Sequence, residues 1–192
     1  MSLDSRGEKA RVFFALWPDA ANAARLHAIA QQWHRSLGGR VTREDTLHAT
    51  LVFIGDIALD RLQSLLDLAE GIQTPSFDID FDAGGCWKHN RIAYLGMRQL
   101  PEALQNLHFE LAARVGAAGF EIEKRPFSPH ITLIRKAACG NATTENPINK
   151  NPAEPVTWTV RDFVLVKSSI GANGSRYEQI GRWPLLEDKP TS

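Results

Sequence analysis

Leu47-His48-Ala49-Thr50-Leu51-Val52-Phe53-Ile54-Gly55 and Pro129-His130-Ile131-Thr132-Leu133-Ile134 share one phrase: histidine, an apolar residue, threonine, leucine. The two histidines lie 130 − 48 = 82 positions apart. Both runs are short, apolar and rich in β-branched residues, so both read as strands, over Leu47–Ile54 and His130–Ile134. In a strand, residues i and i+2 point to one face, roughly 6.6 Å apart. His48 and Thr50 then share a face, with Ala49, Leu51 and Phe53 turned into the core. His130 and Thr132 likewise share a face above Ile131 and Leu133. If the two strands are neighbours, two imidazoles and two hydroxyls surround a site for a small anion. A lone His-x-Thr arises readily by chance. Two copies of the longer phrase among six histidines do not. The bland alternative is two buried strand histidines satisfied by hydrogen bonds, and burying four polar groups on one face without a ligand is costly.

Working outward, Arg11–Trp17 reads as a buried strand ended by Pro18. Asp19 is an N-cap for a helix over Ala20–Leu37, with Leu26, Ile29, Ala30, Trp33 and Leu37 at helical spacing and Gly38-Gly39 as the stop. Gly55-Asp56 ends the first motif strand, and a second helix covers Asp60–Glu70. Phe77, Ile79 and Phe81 alternate with three aspartates, a half-buried strand. The polar turn Gly84–Asn90 leads into a strand over Arg91–Met97, which reads as a hairpin. Pro101 opens a helix with Leu104, Leu107, Leu111 and Val115 on one face. Phe120–Glu123 reads as a strand. Residues 137–155 read as a flexible loop. Thr157–Ser168 and Arg176–Leu185 form a last strand pair, turned at Gly171–Gly174. The expected class is α+β: mostly antiparallel sheets with helices outside, arranged as two weakly duplicated halves in a single domain over 1–192.

Composition narrows the function classes. Hydrophobic residues make up 43% and charged residues 23% of the 192 positions, an ordinary globular balance. Lys plus Arg equals Asp plus Glu at 22 each, so bulk charge does not coat duplex nucleic acid, although a local basic pocket remains open. Cys86 and Cys139 are far apart and read as two reduced thiols in a cytoplasmic protein. No signal peptide or membrane span is expected.

The chain resembles the 2H phosphoesterases, named for two His-x-Thr/Ser motifs. More narrowly it is similar to the bacterial branch of RNA 2′,3′-cyclic phosphodiesterases, also called 2′–5′ RNA ligases. Besides the two motifs, the resemblance includes Phe13-Phe14-Ala15-Leu16, Ala83-Gly84-Gly85-Cys86-Trp87, Leu95-Gly96-Met97, Arg125-Pro126-Phe127-Ser128-Pro129, Arg176-Tyr177 and Trp183-Pro184-Leu185. Ala49 stands where leucine is frequent and Ser128 where histidine is frequent. The resemblance implies a bilobal fold, two antiparallel sheets lining a central cleft. It also implies hydrolysis of a 2′,3′-cyclic phosphate to a 2′-phosphate, with weak reversible 2′–5′ ligation. The implied partners are RNA 3′ ends, nucleoside cyclic phosphates or tRNA halves, handled by a monomer without metal or cofactor.

The chemistry needs an acid and a base near pH 7, and histidine serves as either. His130 is assigned as base and His48 as acid, an order that the near-symmetry of the motifs leaves open. Thr50 and Thr132 are the phosphate donors. Arg135 is the candidate cation, with a solvated surface role as its alternative. Strict alternation turns it away from Thr132, so a bend near the strand end is required. Phe127, Arg125, Trp17, Ser168 and Tyr177 are candidate substrate contacts, Phe127 and Trp17 as base-stacking rings. His27 and His34 read as solvated, His89 as a turn residue and His108 as a packed core histidine.

Overall fold

The computed structural model describes residues 8–123, 125–140, 151–171 and 174–187. Val12, Phe14 and Leu16 are buried on one face of the first strand and Phe13 and Ala15 on the other. A strand apolar on both faces belongs in the middle of a covered sheet. β1 (Lys9–Leu16) accordingly lies between β3 (Ala49–Ala58) and β9 (Asp162–Gly171). The edge on that side is β10 (Gly174–Pro184), paired to β9. On the other side of β3 come β7 (His130–Arg135), β6 (Ile92–Gly96) and β5 (Ala83–Trp87). The two-residue β2 (Arg40–Val41) pairs with the far end of β7. All these pairings are antiparallel. A second, two-stranded antiparallel sheet joins β4 (Phe77–Phe81) to β8 (Val156–Val160).

The eight-stranded sheet is nearly two sheets. β3 and β7 share one paired position, Ala49 with Ile131, so the sheet opens into two wings there. Each wing carries one motif strand at the seam. Three helices cover the other face: α1 (Ala20–Leu37), α2 (Leu62–Ala69) and α3 (Glu102–Ala117). The Asp19 carboxylate accepts the Asn22 N–H at 2.8 Å and starts α1, and Gly38 at φ +55° ends it. Leu26, Ala30, Trp33 and Leu37 of α1 and Leu104, Leu107, Leu111 and Val115 of α3 enter one core with Val12, Phe14, Leu16, Leu51 and Ile131.

Several local expectations change. The first motif strand does not stop at Gly55-Asp56. It runs to Ala58, because Gly55 at φ +88° takes part in a β-bulge rather than a turn. The turn expected over Gly84–Asn90 begins only after Trp87, since Ala83–Trp87 is itself a strand. The hairpin is therefore β5–β6, and β4 pairs with β8. Phe120–Glu123 is not a strand, although Phe120 is buried. The strand expected over Thr157–Ser168 is two strands in different sheets, broken at Arg161. Of the loop expected over 137–155, residues 141–150 lie outside the described residues; 137–140 and 151–155 hold no helix, and there only Pro155 leads directly into a strand. Cys86 and Cys139 are not free thiols. β5, β6 and β7 lie side by side, which brings their Cα atoms within 5.7 Å in a disulfide spanning 53 positions.

Candidate active site

The motif strands reach the cleft by a shared irregularity. On β3, Thr50 pairs with Ala15 and Val52 with Phe14, so Leu51 and Val52 together oppose a single step of β1. On β7, Thr132 pairs with Tyr94 and Ile134 with Ala93, so Leu133 is the extra residue. Each bulge buries two successive residues and resets the alternation. Leu51 and Val52 are buried, as are Leu133 and Ile134. The third residue after each threonine therefore returns to the cleft. On β7 this is Arg135, and the bulge supplies the bend that strict alternation required. On β3 it is Phe53, which lines the cleft instead of entering the core as alternation predicts.

The register that pairs Ala49 with Ile131 sets His48 across from Thr132, and Thr50 across from His130. All four side chains line one cavity of about 870 Å³, a size suited to a nucleotide. The Nδ1 of His48 meets the Thr46 carbonyl at 2.7 Å, and the Nδ1 of His130 meets the Ser128 carbonyl at 2.8 Å. A carbonyl only accepts, so each Nδ1 carries a proton and donates it. Nε2 of each ring is the nitrogen left for chemistry. Neither threonine hydroxyl has a protein partner among the described residues, so both are available to an anion.

The two imidazoles sit in different surroundings. Phe13 and Trp17 stack on His48 with centroids 4.9 and 5.2 Å away, and Tyr177 meets it edge-on at 5.2 Å. These rings belong to a small apolar cluster with Phe13, Ala15, Val164 and Val166 on the cleft face of β1 and β9. His130 meets the edges of Trp87 at 4.5 Å and Tyr94 at 5.7 Å. Gly85 makes that arrangement possible, since a Cβ there would strike the Tyr94 ring that stacks on Trp87. Burial pulls the His48 pKa down to about 4, helped by the charges of Arg135 and His130 and opposed by the Thr46 carbonyl. Burial also lowers His130, helped by Arg135 and Arg125 and opposed by the Ser128 carbonyl. Arg135 thus acts on both imidazoles.

The remaining candidates divide. Phe127 lines the cavity, stacked on His108 at 3.8 Å and 4°. Arg125 lines it with its charge shared with Glu123. Tyr177 lines it as the edge of the His48 cage. Trp17 and Ser168 are outside the lining: Trp17 stacks on His48, and Ser168 sits in register with Arg11 and Tyr177. Of the other histidines, His34 is exposed, and the ring of His27 is held by the Thr42 carbonyl at 3.2 Å. His89 lines the cavity. His108 also lines it, half-buried, with Nδ1 on the Leu51 carbonyl at 2.9 Å, so it is a wall residue rather than core. The sequence reading missed Arg11, Arg40 and Arg43. With Arg125 and Arg135 they give the cavity five arginines against one carboxylate, Glu123, in a chain of zero net charge. A register would have been needed to find them. Among the described residues no three His, Cys, Asp or Glu side chains converge as a metal site requires, and no helix is long and apolar enough to cross a membrane.

Comparison with known proteins shows the family. Residues 17–171 match the 2′-5′ RNA ligase superfamily. The RNA 2′,3′-cyclic phosphodiesterase of Escherichia coli (strain K12) is 34% identical over 181 residues, covering 94% of this chain and 99% of that protein. A protein of the same description from Archaeoglobus fulgidus is 23% identical over 88% of this chain and 97% of its own length. The crystal structure of E. coli LigT complexed with 3′-AMP superposes with a TM-score of 0.80 at 32% identity, covering 93% of this chain and 99% of that one.

Proposed function

The chain belongs to the 2′-5′ RNA ligase superfamily, and from that premise we propose how it acts as an RNA 2′,3′-cyclic phosphodiesterase: His48 and His130 are its acid–base pair. One neutral Nε2 takes a proton from water, and the water oxygen bonds to phosphorus. The P–O3′ bond breaks, and the other imidazole delivers its proton to the departing 3′ oxygen, leaving a 2′-phosphate. Thr50 and Thr132 donate to the phosphate oxygens as charge builds, and Arg135 neutralises it. The observation that carries this reading is the shared design of the two histidines. Each Nδ1 is spent on the carbonyl two residues earlier, which leaves Nε2 free on two rings that line one cavity. That is the constraint an acid–base imidazole needs to keep one tautomer.

Both histidines and both threonines come from one chain, so a monomer carries the whole apparatus. Substrates of this reading are nucleoside 2′,3′-cyclic phosphates and RNA ends of the same chemistry, tRNA halves among them. With a 5′ hydroxyl in place of water, the same proton transfers form a P–O5′ bond as P–O3′ breaks, leaving a 2′–5′ phosphodiester and a 3′ hydroxyl; this is the weak ligation, and its reverse cleaves the linkage. The test is turnover of a nucleoside 2′,3′-cyclic phosphate in excess chelator, with the product phosphate located by NMR. Undiminished turnover to the 2′-phosphate is expected. Loss of activity restored by a divalent ion, or release of the 3′-phosphate, would overturn the mechanism.

A further inference from the structure

Arg40 on β2 is directly opposite Arg135 on β7. Side chains at directly opposed positions of an antiparallel pair project from the same face, with Cβ atoms roughly 4.5–5.5 Å apart, and like charges so placed repel. Both arginines line the cavity, both are exposed, and neither has an acidic partner among the described residues. Other arginines of the cavity wall are provided for: Arg43 by Asp45, Arg125 by Glu123 and Arg11 by Asp56. The register that opposes the two guanidinium groups is built in. Gly39, at φ +84°, brings its backbone so close to the Arg135 carbonyl that a Cβ would lie 2.6 Å from it, and Thr42 N–H donates to the Leu133 carbonyl at 2.8 Å. A fold that sets two arginines without acidic partners at opposed positions on a cleft wall is arranged for anions between and beside them.

Arg135 acts on both imidazoles, so its charge reaches the reacting phosphate. Arg40 pairs with the end of β7 remote from His130 and lines the cavity there. We propose that Arg40 is a specificity-determining residue that binds the phosphodiester immediately 5′ of the terminal cyclic phosphate, so that the site takes RNA chains in preference to free nucleoside cyclic phosphates. This rests on the phosphodiesterase reading above. Arg40 does no chemistry, and its contribution appears in KM for substrates that have the second phosphate.

The test compares Arg40→Gln with the parent protein on two substrates: a nucleoside 2′,3′-cyclic phosphate and a dinucleotide ending in a 2′,3′-cyclic phosphate. KM for the dinucleotide should rise about tenfold, the scale of one charge-assisted hydrogen bond, with kcat held. KM for the mononucleoside substrate should move far less. The dependence of log(kcat/KM) on log salt for the dinucleotide should become shallower by about 0.7, one phosphate contact on a single strand. Arg40→Lys should recover part of the loss. Equal losses on both substrates would place Arg40 on the reacting phosphate, and no loss on either would make it a surface residue; both overturn the proposal. If the parent protein opened neither substrate, the phosphodiesterase reading itself would fall, an outcome distinct from either.

Discussion

β3 and β7 place histidine, threonine and a bulged leucine at matching positions, yet the residue each bulge returns to the cleft differs: Phe53 on one strand, Arg135 on the other. The first wing brings a cation from elsewhere. Arg11 of β1 stands 4.9 Å above the Phe53 ring. The imidazoles differ too, His48 with rings stacked on it and His130 meeting ring edges. The duplicated strand sets where the four polar groups point, and the unduplicated neighbours set how readily each imidazole holds a proton. Burial leaves both neutral at pH 7 in the free protein, His48 held down at about 4. In the proposed mechanism an arriving phosphate anion would offset the nearby Arg135 charge and raise both rings, helping to create the state in which one is charged and the other is not; the two apparent pKa values then belong to the pair.

The largest effect expected from breaking this pairing is loss of either ring. His48→Ala and His130→Ala should each lower kcat by at least ~10²–10⁴. The double variant should be little worse than the worse single one, since groups acting as a unit are not additive. Single-turnover rates on a nucleoside cyclic phosphate check this. A folded variant of either that kept most of its kcat would make that histidine a strand residue only, and the two wings would not be functional equals.

The bulge-delivered residues sharpen the comparison one step down. Arg135→Ala should cost kcat ~10²–10³, the range for removing one group that stabilises developing charge. Phe53→Ala should cost kcat little, and should act on stability through the Arg11 contact and the small cleft-side cluster. Similar kcat losses in the two variants would mean that Phe53 positions substrate and that the wings are more alike than their sequences.

Pattern alone made the motif strands, α1 and α3 legible, because strict periodicity and capping residues signal them locally. The convergence of the two motifs was also readable, since two strands carrying one phrase are natural neighbours. What escaped was set by pairing. Phe53 looked like a core residue because alternation has no knowledge of a bulge, and a bulge appears only when the partner strand is known. The reach of Arg135 poses the same problem, since strict alternation turns it away from Thr132 and only a bulge on β7 brings it back. Cys86 and Cys139 looked unrelated across 53 positions because β6 and β7, which bring them together, act between strands rather than along the chain. Gly84–Trp87, the first part of the turn expected over Gly84–Asn90, reads as turn because two glycines open it. Gly85 serves close packing, lying under the Tyr94 ring.

The smallest expected difference between the wings lies in stability against pH, and it needs no substrate. A histidine whose folded pKa is depressed lets the unfolded chain bind a proton that the folded chain refuses. Stability is then fully present above the unfolded value near 6.5 and declines as pH falls toward the folded one. For His48 that window runs from 6.5 down to about 4. With the ring half-buried rather than sealed, the loss across the window is roughly 2 kcal/mol after allowance for solvent screening. His130 is lowered by the same cause and contributes in the same direction. Urea unfolding between pH 7 and 4.5 reads this directly when wild type is compared with His48→Asn and His130→Asn. Asparagine keeps a donor for the Thr46 or Ser128 carbonyl and cannot titrate, so carboxylate effects common to all three proteins cancel. His48→Asn should flatten the acid decline most, and His130→Asn less. If His130→Asn flattened it equally, the rings stacked on His48 would confer no extra burial, and the division of the two imidazoles would have to come from the substrate alone.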